Sequence, residues 1–94
     1  MSQPKVSIIT LNWNGLDDTT EYLESLKKIT YTNYEVLVFD NGSEGNDARV
    51  LEERFGDYIH LIKNDRNYGA GGYNIAMRYV LNNSNADYLL LLDN

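Results

Sequence analysis

A chain of 94 residues is long enough for one small domain, and an apolar fraction of 43% is ordinary for a folded protein. The formal net charge is −6, with 8 Lys and Arg, which argues against the clustered basic surface by which proteins hold nucleic acid. The sequence has no cysteine, so disulfides, thiolate nucleophiles and cysteine-based zinc sites are excluded. Carboxylates and amides are therefore the expected polar chemistry, and a bound metal would be an oxygen-seeking ion.

No segment of the sequence has the pattern of a membrane span or a signal peptide. The longest uninterrupted apolar run, residues 89–92, is far too short to cross a bilayer. The N-terminus lacks the basic and then apolar pattern of a secretory signal. We therefore expect a cytoplasmic protein with no membrane span in this chain.

Four short runs rich in β-branched, aromatic and leucine residues predict β-strands. They cover residues 5–10, 34–39, 58–62 and 87–92. The second and fourth runs do not alternate polar with apolar residues, which predicts strands of a parallel sheet with both faces covered.

Three segments between these runs have helical spacing of apolar residues. The first begins at the predicted capping box Asp18 to Glu21 and extends an apolar stripe to Ile29. The second covers residues 47–55 and stops at Gly56, and the third covers residues 71–82. The order βαβαβαβ predicts an α/β fold, with a doubly wound parallel sheet and helices on both of its faces. No repeat or linker divides the chain, so residues 1–94 are predicted to form one domain.

Polar residues follow each predicted strand. Because ligands of open parallel sheets bind outside the carboxyl ends of the strands, these residues are the candidates for a site. They lie in segments 10–15, 40–43, 63–67 and 93–94, which together we call the rim.

The same segments carry a resemblance to family 2 glycosyltransferases, which have the GT-A fold. Residues 6–15 (VSIITLNWNG) resemble the opening strand of the family, and residues 40–43 (DNGS) resemble its Asp-rich turn after the second strand. Residues 67–74 (NYGAGGYN) resemble a segment of its rhamnosyltransferase-like members, and Asp93 with Asn94 resembles the start of the Asp-x-Asp motif. The resemblance spans the whole chain. It implies the strand order 3-2-1-4 and the N-terminal, nucleotide-sugar-binding half of a GT-A fold, cut within that motif.

The resemblance implies that the ends of the first two strands hold the nucleoside of a UDP- or dTDP-sugar. Thr10 and Asn12 are expected beside the base and ribose, with Asn14 and Asn41 in the same site. Asp40 is expected to accept the imide N–H of uracil or thymine, a bond that cytosine cannot donate. Turn formation by Asp40, and capping of the first helix by Thr10, Asn12 or Asn14, are the structural alternatives.

The other side of the predicted site concerns the diphosphate and a metal. Arg66 is a cation on the rim placed to meet a diphosphate, and the alternative is a solvated loop arginine. Gly69, Gly71 and Gly72 lack the dinucleotide-binding spacing. They predict instead that the third helix approaches the sheet closely and that its N-terminus favours an anion. The resemblance implies that Asp93 contacts the ribose and holds Mn²⁺ or Mg²⁺, with a second Asp of the motif expected after Asn94.

The resemblance implies that the parent enzyme transfers a sugar, with inversion, to the hydroxyl of an acceptor glycan or lipid-linked saccharide in polysaccharide biosynthesis. The catalytic base is expected beyond Asn94, so the chain alone is predicted to contain no catalytic residue and to be inactive. The parent is expected in the cytoplasm, peripheral at the inner face of the membrane. Two alternatives stay open: a non-catalytic module that binds a nucleotide or a partner, and a response-regulator-like signalling domain.

Overall fold

The computed structural model describes residues 3–92, and helices and strands alternate along them in the predicted order. The strands are β1 (Val6–Asn12), β2 (Tyr34–Asp40), β3 (Ile59–Lys63) and β4 (Tyr88–Leu91). The helices are α1 (Leu16–Leu26), α2 (Asp47–Phe55) and α3 (Gly71–Asn83). Across these described residues, no helix is long and apolar enough to cross a membrane.

The strands form one parallel sheet in the order β3-β2-β1-β4. The predicted order 3-2-1-4 is therefore confirmed. Response regulators have the order 2-1-3-4-5, so the signalling-domain alternative is wrong.

Strand β2 is the centre of the core because both of its faces are covered. Val36 and Val38 pack on one face with α1 and α2, whereas Leu37 and Phe39 pack on the other with α3. The first cluster also contains Leu23, Leu51, Phe55 and Ile59, and the second contains Ile9, Ala76 and Val80. The uninterrupted apolar run of β2 is thus explained by burial on both sides, as predicted.

Strand β4 does not follow the same prediction. Its four residues, Tyr88 to Leu91, are between 37% and 62% exposed. The strand lies at the edge of the sheet and pairs with β1 alone among the described strands. The prediction that both faces of β4 are buried is wrong within residues 3–92, because an apolar run records what a strand can bury and not its place in the sheet.

Helix α1 begins two residues before the predicted capping box. Its N-cap is Gly15, and no side chain caps it, so the capping-box prediction is wrong. The Thr19 hydroxyl donates instead to Asn12 Oδ1 at 2.6 Å. Ile29 was predicted on the buried stripe, but it lies beyond the end of α1 and is 42% exposed.

The carboxylate of Glu35 connects several elements near the amino ends of β1 and β2. Its oxygens accept hydrogen bonds from Ser7 and from Ser84, the latter at 2.7 Å, and lie 3.3 Å from Lys5 Nζ. Partial burial alone would raise the pKa of Glu35, but these hydrogen bonds and the Lys5 charge together lower it. The cluster ties β1, β2 and the connection between α3 and β4.

Replacing Glu35 with glutamine is expected to weaken the acid sensitivity of folding. Because the folded state lowers the pKa of Glu35, the carboxylate stabilises the fold above the ordinary glutamate pKa, and this contribution is lost as the pH falls through the lowered value. From about pH 5 to pH 3 the unaltered protein should therefore lose more stability than Glu35→Gln. Denaturant unfolding across that range measures the difference. Glu53→Gln, at an exposed position of α2, is the control. An equal loss of stability with falling pH in Glu35→Gln and Glu53→Gln would contradict the assignment.

Candidate functional site

The carboxyl ends of β1 and β2 meet at residues Asn12 and Asp40, which pair with each other in the sheet register. Strand β1 ends two residues later than predicted, so Asn12 belongs to the strand itself. The Asn12 and Asp40 side chains are 0% and 1% exposed. In parallel sheets this edge is where ligands bind, and here it has a buried polar floor.

Asn12 lies at the centre of a buried polar network. Its Nδ2 lies 2.9 Å from Asp40 Oδ1, 3.0 Å from Asp47 Oδ2 and 3.2 Å from Ser43 Oγ. Its Oδ1 accepts the hydrogen bond from Thr19. One amide therefore connects β1 and α1 to two carboxylates, one at the end of β2 and one in the first turn of α2.

The carboxylate of Asp40 is engaged within the chain. Its Oδ1 accepts hydrogen bonds from Asn12 and, at 2.5 Å, from Ser43 Oγ, while its Oδ2 accepts from the Ser43 N–H at 3.2 Å. These are the contacts of the turn-forming alternative. Asp40 is also only 1% exposed, so these contacts leave little of its carboxylate accessible to a ligand imide.

Asn41 connects the end of β2 to the segment 64–69. Its Oδ1 accepts from Asn64 Nδ2 at 3.2 Å and from the Tyr68 N–H at 3.1 Å. Its Nδ2 donates to Asn67 Oδ1 at 3.0 Å and to the Gly69 carbonyl at 3.2 Å. The side chain is 3% exposed, so Asn41 contributes to the rim from beneath.

Arg66 projects from this segment into solvent. Its guanidinium carbon lies 4.9 Å from the centre of the Tyr68 ring, a cation–π arrangement. The Tyr68 hydroxyl donates to Asp65 Oδ1 at 2.5 Å, and this hydrogen bond lowers the pKa of Asp65. Arg66 is thus an exposed cation on a hydrogen-bonded segment, accessible to an anionic ligand.

Asn14 and Thr10 lie on the α1 and β4 sides of the rim. Asn14 has a φ of 50°, and its Oδ1 accepts from the Glu44 N–H at 2.8 Å. It therefore ties two loops together and does not cap α1, so the capping alternative is wrong. Thr10 is buried, and its Oγ1 donates to the Leu92 carbonyl at 3.3 Å.

The glycine-rich start of α3 approaches the sheet closely, as predicted. A Cβ on Gly72 would lie 3.1 Å from Asn41 Nδ2. The expected anion site at this helix end is wrong, however, because its N–H groups are in use. Those of Gly71, Gly72 and Tyr73 donate to the carbonyls of residues 68, 69 and 70.

The described residues form no metal centre, and the cavity beside α1 does not suit an anion. Within residues 3–92, no group of three or more His, Asp or Glu side chains could hold a metal ion. Asp93, the predicted metal ligand, lies outside the described residues. The open cavity beside α1 is lined by Asp17, Asp18 and Asp47, whose charges disfavour a diphosphate there.

Thr19 and Asp47 were not predicted to belong to the site, whereas Ser43 and Asn67 lie in the predicted segments 40–43 and 63–67 but had no role assigned. Ser43 had a local signal, since an Asp three residues before a Ser is common in turns. Thr19 and Asp47 had none, because their bonds to Asn12 join residues 7 and 35 positions apart. Such pairings follow from the packing of α1 and α2 and not from local spacing.

A parallel sheet in this order, with a polar rim at its central strands, is the architecture of a doubly wound α/β domain. A family model described as Glycosyl transferase family 2 matches residues 7–94. The chain belongs to this family.

Two relatives support the same conclusion. The chain is 33% identical over 89 residues to an uncharacterized glycosyltransferase of Haemophilus influenzae, covering 94% of this chain and 28% of the relative. It is 30% identical over 86 residues to an uncharacterized glycosyltransferase of Rickettsia felis, covering 90% of this chain and 14% of the relative. The chain thus spans less than a third of the length of these relatives.

A similar solved structure is a mannosyltransferase from Pyrobaculum calidifontis in complex with GDP-Man and Mn²⁺. It matches with a TM-score of 0.70 and 24% identity, over 84% of this chain and 25% of that chain. This likeness confirms the predicted GT-A type of fold.

Proposed function

We propose that the chain is the nucleotide-sugar-binding part of a glycosyltransferase that moves a sugar from a nucleoside diphosphate to an acceptor hydroxyl. The observation that carries the proposal is the buried network around Asn12 and Asp40, at the ligand-binding edge of the sheet in a family 2 chain. Inversion at the sugar carbon, and a glycan or lipid-linked acceptor, are parts of the proposal that concern the whole protein.

The described residues divide into a floor and exposed groups. Thr10, Asn12 and Asp40 are buried and form the floor on which a nucleoside can rest, and Asn41 is buried beside them under segment 64–69. Arg66 is exposed and supplies charge-assisted hydrogen bonds to a diphosphate, since a guanidinium fits phosphate oxygens in pairs. This side of the rim is favoured over the α1 side, whose cavity is lined by three aspartates.

A divalent cation, Mn²⁺ or Mg²⁺, is proposed to accompany the donor, supported by the Mn²⁺ in the mannosyltransferase complex. Asp93 is the proposed protein ligand, and oxygens of the diphosphate would supply further ligands. The described rim supplies no cluster able to hold the ion without them.

Addition of UDP or dTDP with Mg²⁺ is expected to shift the backbone amide signals of Thr10, Asn12, Asp40 and Asn41 in NMR spectra. These four residues share one edge, so a nucleoside bound there changes their surroundings together. CDP is the control for the base: its ring has no imide N–H, and weaker binding of CDP would support recognition through a carboxylate such as Asp40. Shifts spread over the outer faces of the helices, or none at millimolar nucleotide, would contradict the site.

The same proposal is tested in the whole protein by release of free nucleotide from UDP- and dTDP-sugars in the presence of acceptor. Turnover distinguishes a transferase from a non-catalytic module, which would bind the nucleotide without consuming the donor. A whole protein that binds donor and never releases nucleotide from the common donors would contradict the transferase assignment.

A further inference from the structure

The amide of Asn41 has no hydrogen-bonding capacity left for a ligand. A side-chain amide offers two N–H donors and an oxygen with two lone pairs. Asn41 uses both donors and both lone pairs, and all four bonds lead to residues 64, 67, 68 and 69. The buried side chain therefore acts on the rim through this segment.

The partners of the four bonds lie on both sides of Arg66 in the sequence, and two of the bonds hold backbone atoms, at Tyr68 and Gly69. On one side, Asn64 is also held by its own N–H, which donates to the Asp40 carbonyl at 2.8 Å. On the other side, the Tyr68 N–H donates to Asn41, and the Tyr68 ring lies under the Arg66 guanidinium. The backbone of Arg66 itself packs against Gly42, where a Cβ would lie 2.5 Å from the Arg66 carbonyl carbon.

We propose that Asn41 is a positioning residue, which fixes the place of the Arg66 guanidinium at the rim and so governs affinity for the diphosphate of the donor. The inference rests on the proposed function, since it requires Arg66 to meet a diphosphate. It assigns Asn41 no contact with the nucleoside. Loss of its amide should release the backbone at Tyr68 and Gly69, and with it the ring that lies under the Arg66 guanidinium.

The test compares UDP with uridine in Asn41→Ala. Asn41→Ala is expected to weaken UDP binding about tenfold or more, the effect of losing a hydrogen bond to a charged group, and to leave uridine binding nearly unchanged. Amide hydrogen exchange at Tyr68 and Gly69 should become faster. Asn82→Ala, which removes the same side chain from an exposed position of α3, is the matched control and should change neither ligand.

A double-mutant cycle with Arg66→Ala separates positioning from general loss of structure. If Asn41 acts through Arg66, Asn41→Ala has little further effect on UDP affinity in the Arg66→Ala background. Additive effects, equal weakening of UDP and uridine, or unchanged exchange at Tyr68 would each overturn the inference while leaving the proposed function intact. Failure of the unaltered protein to bind UDP, dTDP or GDP would overturn both.

Asn67→Ala provides a second route should Asn41→Ala not fold. Asn67 is exposed, and its Oδ1 accepts from Asn41 Nδ2 and, at 2.7 Å, from the Gly69 N–H. Its loss should loosen the same segment and weaken UDP more than uridine. An Asn67→Ala protein that binds both ligands like the unaltered protein, with unchanged exchange at Gly69, would count against the inference.

Discussion

Replacing Asn12 with alanine is expected to remove a large part of the stability of the fold. Its amide donates to two buried carboxylates, those of Asp40 and Asp47, and truncation leaves both without that donor. A hydrogen bond to a charged group contributes about 1.5–3 kcal/mol, and an unsatisfied buried group costs more than the bond itself contributes. Alanine also leaves a void where a fully buried side chain was.

The expected loss is at least about 3 kcal/mol, because two such bonds are removed at once. Small domains are stable by only about 5–15 kcal/mol, so the variant should unfold at a much lower denaturant concentration. Chemical unfolding followed by far-ultraviolet circular dichroism measures this directly.

The matched control is Asn14→Gly in the adjacent loop. It also removes an amide, but an exposed one, and glycine accepts the φ of 50° found there. Its expected cost is about 1 kcal/mol or less. Comparable losses for the two variants would contradict a special role for Asn12, and a loss below about 1 kcal/mol for Asn12→Ala would show that the carboxylates find other donors.

The sequence predicted the sheet well where local pattern and burial agree. Strand β2 reads as an apolar run and is buried on both faces, and α2 begins at Asp47 and ends at Phe55 as predicted. The rim was also predicted, because the rule that ligand sites lie at the carboxyl ends of strands needs only the positions of the strands. Residues Asn12 and Asp40 were placed together for this reason, and the structure joins them at 2.9 Å.

The predictions that failed concern properties that are not local. The leucines of β4 form a run like that of β2, and only the edge position of the strand makes them exposed. The sequence 18–21 has the form of a capping box, but α1 begins earlier and its Thr19 donates to Asn12. A side chain chooses between local and distant partners by packing, which one-dimensional spacing does not contain.

The same limit applies to the roles of Asp40 and Asn41. The resemblance implied that both lie in a nucleotide site, and the structure shows both buried at the carboxyl end of β2. Their hydrogen bonds, however, run to Ser43 and to segment 64–69, so the contacts in hand are those of residues that shape the rim. A motif therefore predicts where polar residues gather more reliably than it predicts which contacts each of them makes.

Replacing Gly42 with alanine is expected to displace the segment that carries Arg66. Gly42 has a φ of 75°, and a Cβ there would lie 2.5 Å from Arg66 C and 2.7 Å from Asn67 N. These are backbone atoms, so no side-chain rotation relieves the collision. Either the turn after β2 or the segment 64–69 must move, and each movement strains the bonds of Asn41.

Gly69→Ala is the matched control, because the two glycines share a backbone conformation and differ in space. Gly69 has a φ of 58°, and nothing lies within 4 Å of an added Cβ. The left-handed conformation alone costs a non-glycine residue about 1–2 kcal/mol. Overpacking adds about 1–3 kcal/mol, so Gly42→Ala should be destabilised by roughly 2–5 kcal/mol and Gly69→Ala by the smaller amount.

Nucleotide binding gives the sharper comparison between these two variants. Gly42→Ala should shift the amide signals of Arg66 and Asn67 and weaken UDP more than uridine, because the guanidinium leaves its place while the floor at Asn12 persists. Gly69→Ala should leave the amide of Arg66 nearly unchanged. Equal stability of the two variants, with unshifted Arg66 and Asn67 amides in Gly42→Ala, would show that the close contact at Gly42 does not constrain this segment in solution.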